Sequence, residues 1–124
     1  MTVALSHGQT LHIEAAHEAS TLKIVAGGGR VLMSIRVTDD GPVLQFDGPL
    51  RIEAAGDVGI EGERVSIHGR GGVSISSGAD LRTFAEGDLL SEARIQTIRS
   101  RLGDVEIKAN DDVLVRGERI RLNC

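Results

Sequence analysis

The sequence predicts an all-β protein, most of it a repetitive octad β-helix or β-prism. Three observations lead there. A phrase of about eight residues, an apolar-x-apolar strand with a small or acidic corner before it, recurs from residue 50 to the end. The chain of 124 residues carries 16 glycines against 2 prolines, which supplies many tight corners. Its 40% hydrophobic content is almost all Val, Ile, Leu and Ala, with only 2% aromatic residues, Phe46 and Phe84. An interior of that kind suits thin, uniform layers.

Two regions are expected, a β-rich N-terminal cap or docking region over 1–48 and an octad shaft over 49–124. In the first, Thr2–Leu5, Thr10–Ala15 and Thr21–Ala26 alternate apolar and polar residues as short strands do. Gly27-Gly28-Gly29 reads as a flexible break. Arg30–Thr38 and Val43–Phe46 read as a hairpin around Asp39-Asp40-Gly41-Pro42, with Asp and Gly in the turn and Pro delaying the return pairing.

In the second region the strand starts fall at 50, 58, 65, 73, 81, 89, 97, 105, 113 and 120. First and third residues of a strand share a face. These positions hold Leu50/Ile52, Val58/Ile60, Val65/Ile67, Val73/Ile75, Val105/Ile107, Val113/Val115 and Ile120/Leu122, the predicted structural core. The pattern weakens over 83–101, where the inward slots hold Thr83, Ser91, Thr97 and Arg99. A helix over Leu89–Leu102, capped by Asp88 and stopped by Gly103, competes there. The exact eight-residue spacing from 81 to 113 favours β structure.

Three phrases per turn of a single chain would make only three coils, roughly 15 Å tall at ~4.8 Å per layer, with both ends exposed. Three chains wound about one axis would use the same phrases to reach roughly 45 Å, each strand finding its partners in sister chains. A parallel homotrimer is the favoured architecture. The alternative is a single-chain β-solenoid that polymerises end to end.

The closing phrases, Gly103-Asp104-Val105-Glu106-Ile107-Lys108-Ala109-Asn110-Asp111-Asp112-Val113 and Gly117-Glu118-Arg119-Ile120-Arg121-Leu122-Asn123-Cys124, carry a resemblance. The run from Leu50 to Cys124 resembles the C-terminal β-helical needle of phage-tail and type VI secretion spikes, the VgrG family. The resemblance implies a homotrimeric structural shaft allied to a contractile injection system, with spike, baseplate or effector proteins as partners. The oligosaccharide-binding-fold and hub domains of full spikes have no room here, so the expected counterpart is a stand-alone needle or accessory.

Other classes are disfavoured. A net charge of −4 and the lack of stacking aromatics argue against nucleic acid. No apolar run approaches the ~18 residues of a membrane span, and no signal-peptide pattern opens the sequence. Synthesis in the cytoplasm, with export through an injection apparatus and without stable membrane insertion, is expected. No nucleophile elbow, phosphate loop or metal-spaced Cys/His set occurs, so the chain is read as a non-enzyme, and a carbohydrate-binding coil would need aromatics it lacks.

No cofactor or metal is assigned. Asp57, Asp80, Asp88, Asp104 and Asp112 form an acidic column without the paired glycines of a calcium-binding coil, and are read as corner solvation and backbone caps. His7, His12 and His17 stand five apart and are read as surface or turn residues. Three-fold symmetry would triple His68 or Cys124 into a ligand cluster. His68 directly follows Ile67, which points it outward or into a corner, and Cys124 is the last residue, so neither is assigned as a ligand.

Overall fold

A computed structural model describes residues 1–17 and 19–124. The protein is all-β. Five strands form one antiparallel meander, each paired with the next in sequence: β1 (Thr2–Ala4), β2 (Thr10–Ala15), β3 (Ser20–Val25), β4 (Val31–Thr38) and β5 (Gly41–Phe46). The alternation of apolar and polar residues produces this sheet at nearly the boundaries it predicts. Among the described residues no helix is long and apolar enough to cross a membrane.

The turns are set by residues that accept unusual dihedrals. A short 3-10 turn, Ser6–Gly8, joins β1 to β2 with His7 at φ 61° and Gly8 at φ 72°. The backbone N–H of Leu5 closes it on the carbonyl of Gln9 at 2.8 Å. Gly27-Gly28-Gly29, expected as a flexible break, is instead a hydrogen-bonded β3–β4 turn. The Gly29 N–H donates to Ala26 O at 2.9 Å, and Gly29 takes φ 88°.

The β4–β5 hairpin also differs in detail from expectation. Asp39 and Asp40 alone form the loop, and Gly41 (φ 111°) pairs with Thr38, whose Oγ1 donates to Gly41 O at 3.0 Å. Pro42 does not delay pairing; it sits directly opposite Val37. In a hairpin with a two-residue loop the second pair from the loop, here Val37 and Pro42, makes no ladder hydrogen bond between the strands. The N–H that proline lacks would therefore face the open side of β5, an edge strand where proline is tolerated.

Asp47 N–H still donates to Leu32 O of β4 at 3.2 Å, and beyond Gly48 the chain is neither helical nor paired with another strand. Beyond Leu50 it bends sharply at nine places: 55–56, 63–64, 70–71, 78–79, 86–87, 94–95, 101–103, 110–111 and 118. Each bend lies just ahead of one of the strand starts read from the sequence, from 58 to 120. The competing helix over Leu89–Leu102 is absent; the chain bends at Arg94-Ile95 and Arg101-Leu102-Gly103 in step with its neighbours.

The tightest corner is Gly69–Gly72, where the Gly72 N–H donates to Gly69 O at 3.3 Å and Gly72 takes φ 135°. By proximity the chain divides into Met1–Ile67 and His68–Cys124.

No described residue is fully buried. The residues expected as structural core, Val58, Ile60, Val65, Ile67, Val73, Ile75, Val105, Ile107, Val113, Val115, Ile120 and Leu122, are all exposed in the single chain. The physical reason is that one bent strand has no second layer of its own to close over them. The accessible surface is 12918 Å², against about 6,400 Å² for a globular monomer of this mass and about 19,000 Å² for an extended chain. Folding within the single chain thus removes only about a third of the extended surface, where a domain of this size removes about two thirds.

Candidate assembly interface

Two sets of apolar residues dominate the molecule, and both follow from strand periodicity. Within the sheet, cross-strand partners lie on the same face. One face is built from the row Val3–Leu11–Ile24–Met33–Phe46 and the row Ile13–Leu22–Ile35–Leu44. The opposite face carries Thr2–His12–Lys23–Ser34–Gln45 and Glu14–Thr21–Arg36–Val43. The register shift between Ile24 and Val25 pairs Val25 with Val31 and leaves Leu32 as the extra residue of a bulge.

The polar face is partly paired within itself. Thr10 Oγ1 and His12 Nε2 are 2.9 Å apart, Thr2 Oγ1 and His12 Nδ1 are 3.4 Å apart, and Lys23 Nζ lies 3.6 Å from Glu14 Oε2. The ion pair is accessible to water and contributes at most about 1 kcal/mol. Among the described residues none of the apolar face is fully buried: most of its rows are half-buried, and Leu44 is 59% exposed. A sheet with one apolar face needs a second layer against it.

The second set of apolar residues follows the octads in sequence. It is made of the twelve residues from Val58 to Leu122 that were expected as core, and their exposure runs from 48% at Val105 to 79% at Leu122. In each of the six pairs the first residue is the less exposed, as at Val58 (60%) and Ile60 (76%) or Val113 (50%) and Val115 (62%), because the corner before it gives partial shelter. The octad reading therefore matches the spacing of the corners, while these side chains are exposed in the single chain. The intervening and flanking positions are polar and pair along the chain, Arg51 with Glu53 at 3.5 Å and Arg82 with Asp80 at 3.2 Å. Residues two apart share a face, so these ion pairs lie opposite Leu50/Ile52 and Leu81/Thr83.

The backbone of this region is as unpartnered as its side chains. Among the described residues beyond 48, the Gly72–Gly69 bond is the one backbone–backbone hydrogen bond. Peptide groups inside a stable fold are paired almost without exception.

The acidic column does not act as foreseen at the corners. Serine hydroxyls accept the corner N–H groups, Ser77 Oγ from Ala79 at 3.1 Å and Ser100 Oγ from Gly103 at 3.2 Å. Among the described residues none of Asp57, Asp80, Asp88, Asp104 and Asp112 caps a backbone N–H, and Asp80 pairs with Arg82 instead. In the polar stretch, Ser91 and Gln96 are tied together across a corner. Ser91 Oγ donates to Gln96 Oε1, and Gln96 Nε2 donates to Ser91 O, each at 3.0 Å.

The histidines are dispersed: His7 in the first turn, His12 on β2, His17 after β2 and His68 beside a corner. Cys124 is an exposed free thiol whose Sγ donates weakly to Leu122 O at 3.6 Å. No cluster of three or more potential metal ligands occurs among the described residues. A depression of 240 Å³ lined by Val31, Ser34, Gln45, Phe46 and Asp47 falls below the ~300 Å³ at which small-molecule sites begin.

The apolar rows of the sheet were the surface that sequence reading missed. Their signal was present in the repeated i, i+2 pairs Leu11/Ile13, Leu22/Ile24, Met33/Ile35 and Leu44/Phe46. The chain matches no protein-family model, no curated protein and no solved structure.

Proposed function

We propose that this chain is a structural protein, one strand system of a rigid homotrimeric β-helical shaft related to the spike of a contractile injection apparatus. The observation that carries the reading is the regular series of nine corners, spaced seven to nine residues apart, on a backbone that makes a single internal hydrogen bond. An unstructured segment has no reason to turn at a fixed interval. A self-contained fold has no reason to leave the peptide groups of so long a segment unpaired.

Three copies of such a chain, interleaved about one axis, resolve both features. Each strand segment then hydrogen-bonds to sister chains. The first- and third-position aliphatics, Val58, Ile60, Val65, Ile67, Val113 and Val115 among them, meet at the axis. Each such side chain taken from water contributes roughly 1.5–3 kcal/mol. The shaft's mechanism is mechanical, since a continuous ladder around an aliphatic core resists bending. Spike, baseplate or effector proteins of the apparatus are the partners this reading implies.

A single-chain solenoid would pair its own successive coils, and no such pairing exists among the described residues after Phe46.

Hydrogen exchange tests the reading directly. The intertwined shaft predicts that amides between 58 and 122 exchange orders of magnitude more slowly than those of an unpaired chain. Exchange across this region at unprotected rates would sink it.

A further inference from the structure

We infer that the apolar face of the N-terminal sheet is a second self-association surface, packed against the same face of sister copies. The partner that docks from outside is left with the polar face. This rests on the trimeric reading for the number of copies, while the face itself is defined independently by strand register.

Three features select a copy of this chain as the occupant. The first is area. Five strands at ~4.8 Å spacing and about six residues at ~3.3 Å rise give a flat face of roughly 480 Å². That is already at the upper end of the apolar patches monomers expose. With side-chain relief it is of the order of the ~800 Å² that each partner brings to a stable interface.

The second is charge. Neither of the two rows contains a charged residue, whereas the opposite face holds Glu14, Lys23 and Arg36. A neutral aliphatic face packs on its own copy without stranding a charge, and offers nothing that would specify a charged partner.

The third is width. Three faces about 24 Å wide, set as the sides of a triangle, place each sheet about 7 Å from the axis. This is slightly more than half the ~10 Å spacing of packed sheets, a gap that long side chains such as Met33 and Phe46 fill.

Adjacent residues of β5 provide the test, because Leu44 and Gln45 lie on opposite faces and both are exposed in the single chain. Full-length Leu44→Cys and Gln45→Cys, each with Cys124→Ser, are labelled with a maleimide in the native state while mass is recorded by light scattering. The expected result is a trimer in which Leu44→Cys reacts at least ~100-fold more slowly than Gln45→Cys. The pair Val3→Cys and Thr2→Cys on β1, on opposite faces and both exposed in the single chain, repeats the comparison should either β5 variant fail to assemble. A bis-maleimide with an arm of about 10 Å is expected to join Leu22→Cys, on the central strand, to a sister chain.

Equal labelling rates in a particle of trimeric mass would overturn the inference and leave the trimer standing. Protection without any Leu22→Cys cross-link would overturn it too, since something other than the sister sheet would then cover the face. Protection and cross-linking in a dimer would uphold the inference and overturn the trimeric reading. A monomer would overturn both.

Discussion

Val113→Asp is expected to abolish assembly. Val113 opens one of the most regular phrases of the chain, and in the single chain it is 50% exposed with no neighbour to close over it. In a three-chain shaft it meets its two symmetry copies. Aspartate there would bring three carboxylates together in an apolar interior without a counter-charge, and an isolated buried charge is among the most costly changes a core can suffer. The expected readout is a shift of the whole population from the assembled to the single-chain elution position at neutral pH. Val113→Ala provides the graded comparison. It leaves a cavity without a charge, costs about 1–3 kcal/mol per chain, and lowers the melting temperature while the mass is retained. Retention of both mass and melting temperature by the aspartate variant would contradict the axial placement of this residue.

Gly69→Ala is expected to have the second largest effect, and for a backbone reason. A Cβ at Gly69 would collide with the carbonyl oxygen of Gly72, at the tightest corner in the octads. The collision is with main chain rather than with a side chain that could swing away. Relief therefore means opening the corner and losing the register of the strands on either side. A loss of at least about 2 kcal/mol per chain is expected, felt three times in a trimer. Gly87→Ala is the control: nothing lies within 4 Å of a Cβ there, and its φ is not in the left-handed region. Alanine at that corner is expected to be neutral or to stabilise by about 0.4–1 kcal/mol, through the unfolded chain. Equal melting temperatures for the two variants would show that the Gly69–Gly72 turn does not hold the register.

The particular elements show what a single sequence can carry. Strict alternation located Thr10–Ala15 as β2 to the residue, and the hairpin's arms Val31–Thr38 and Gly41–Phe46 to within two residues. The recurring Val-x-Ile phrase located every corner between 55 and 118, including those at 94–95 and 101–103, where helix propensity pulled the other way. Both signals are local, a period of two and a period of eight, and local signals are legible without neighbours.

Three readings failed because they depended on backbone geometry that residue type does not specify alone. Three glycines in a row can form a loose tether or a closed turn. Their role at Gly27–Gly29 follows from β3 and β4 being brought into register on either side. Pro42 is compatible with pairing because β5 is an edge and because the residue falls at a position that makes no ladder bond. The corner N–H groups go to Ser77 and Ser100, which stand two and three residues ahead of the amides they accept from, rather than to the aspartates that follow the bends.

The candidate interface was half legible. The first- and third-position aliphatics of the octads stand out as a stripe, while the apolar face of the sheet emerges only when four pairs of strands are set in register. Their burial was not legible at all: Ile60 has the same pattern signal as a core isoleucine, yet it is 76% exposed where one chain stands alone. Stoichiometry is a property of contacts between copies, which a period of two or of eight does not encode.

Absolute mass in solution, by light scattering on a sizing column, tests the central claim most directly. The account predicts a single species at three times the 13.1 kDa chain, independent of concentration over the measurable range. A monodisperse species at 13.1 kDa would contradict it, because among the described residues the single chain leaves its octad backbone unpaired and its octad aliphatics exposed.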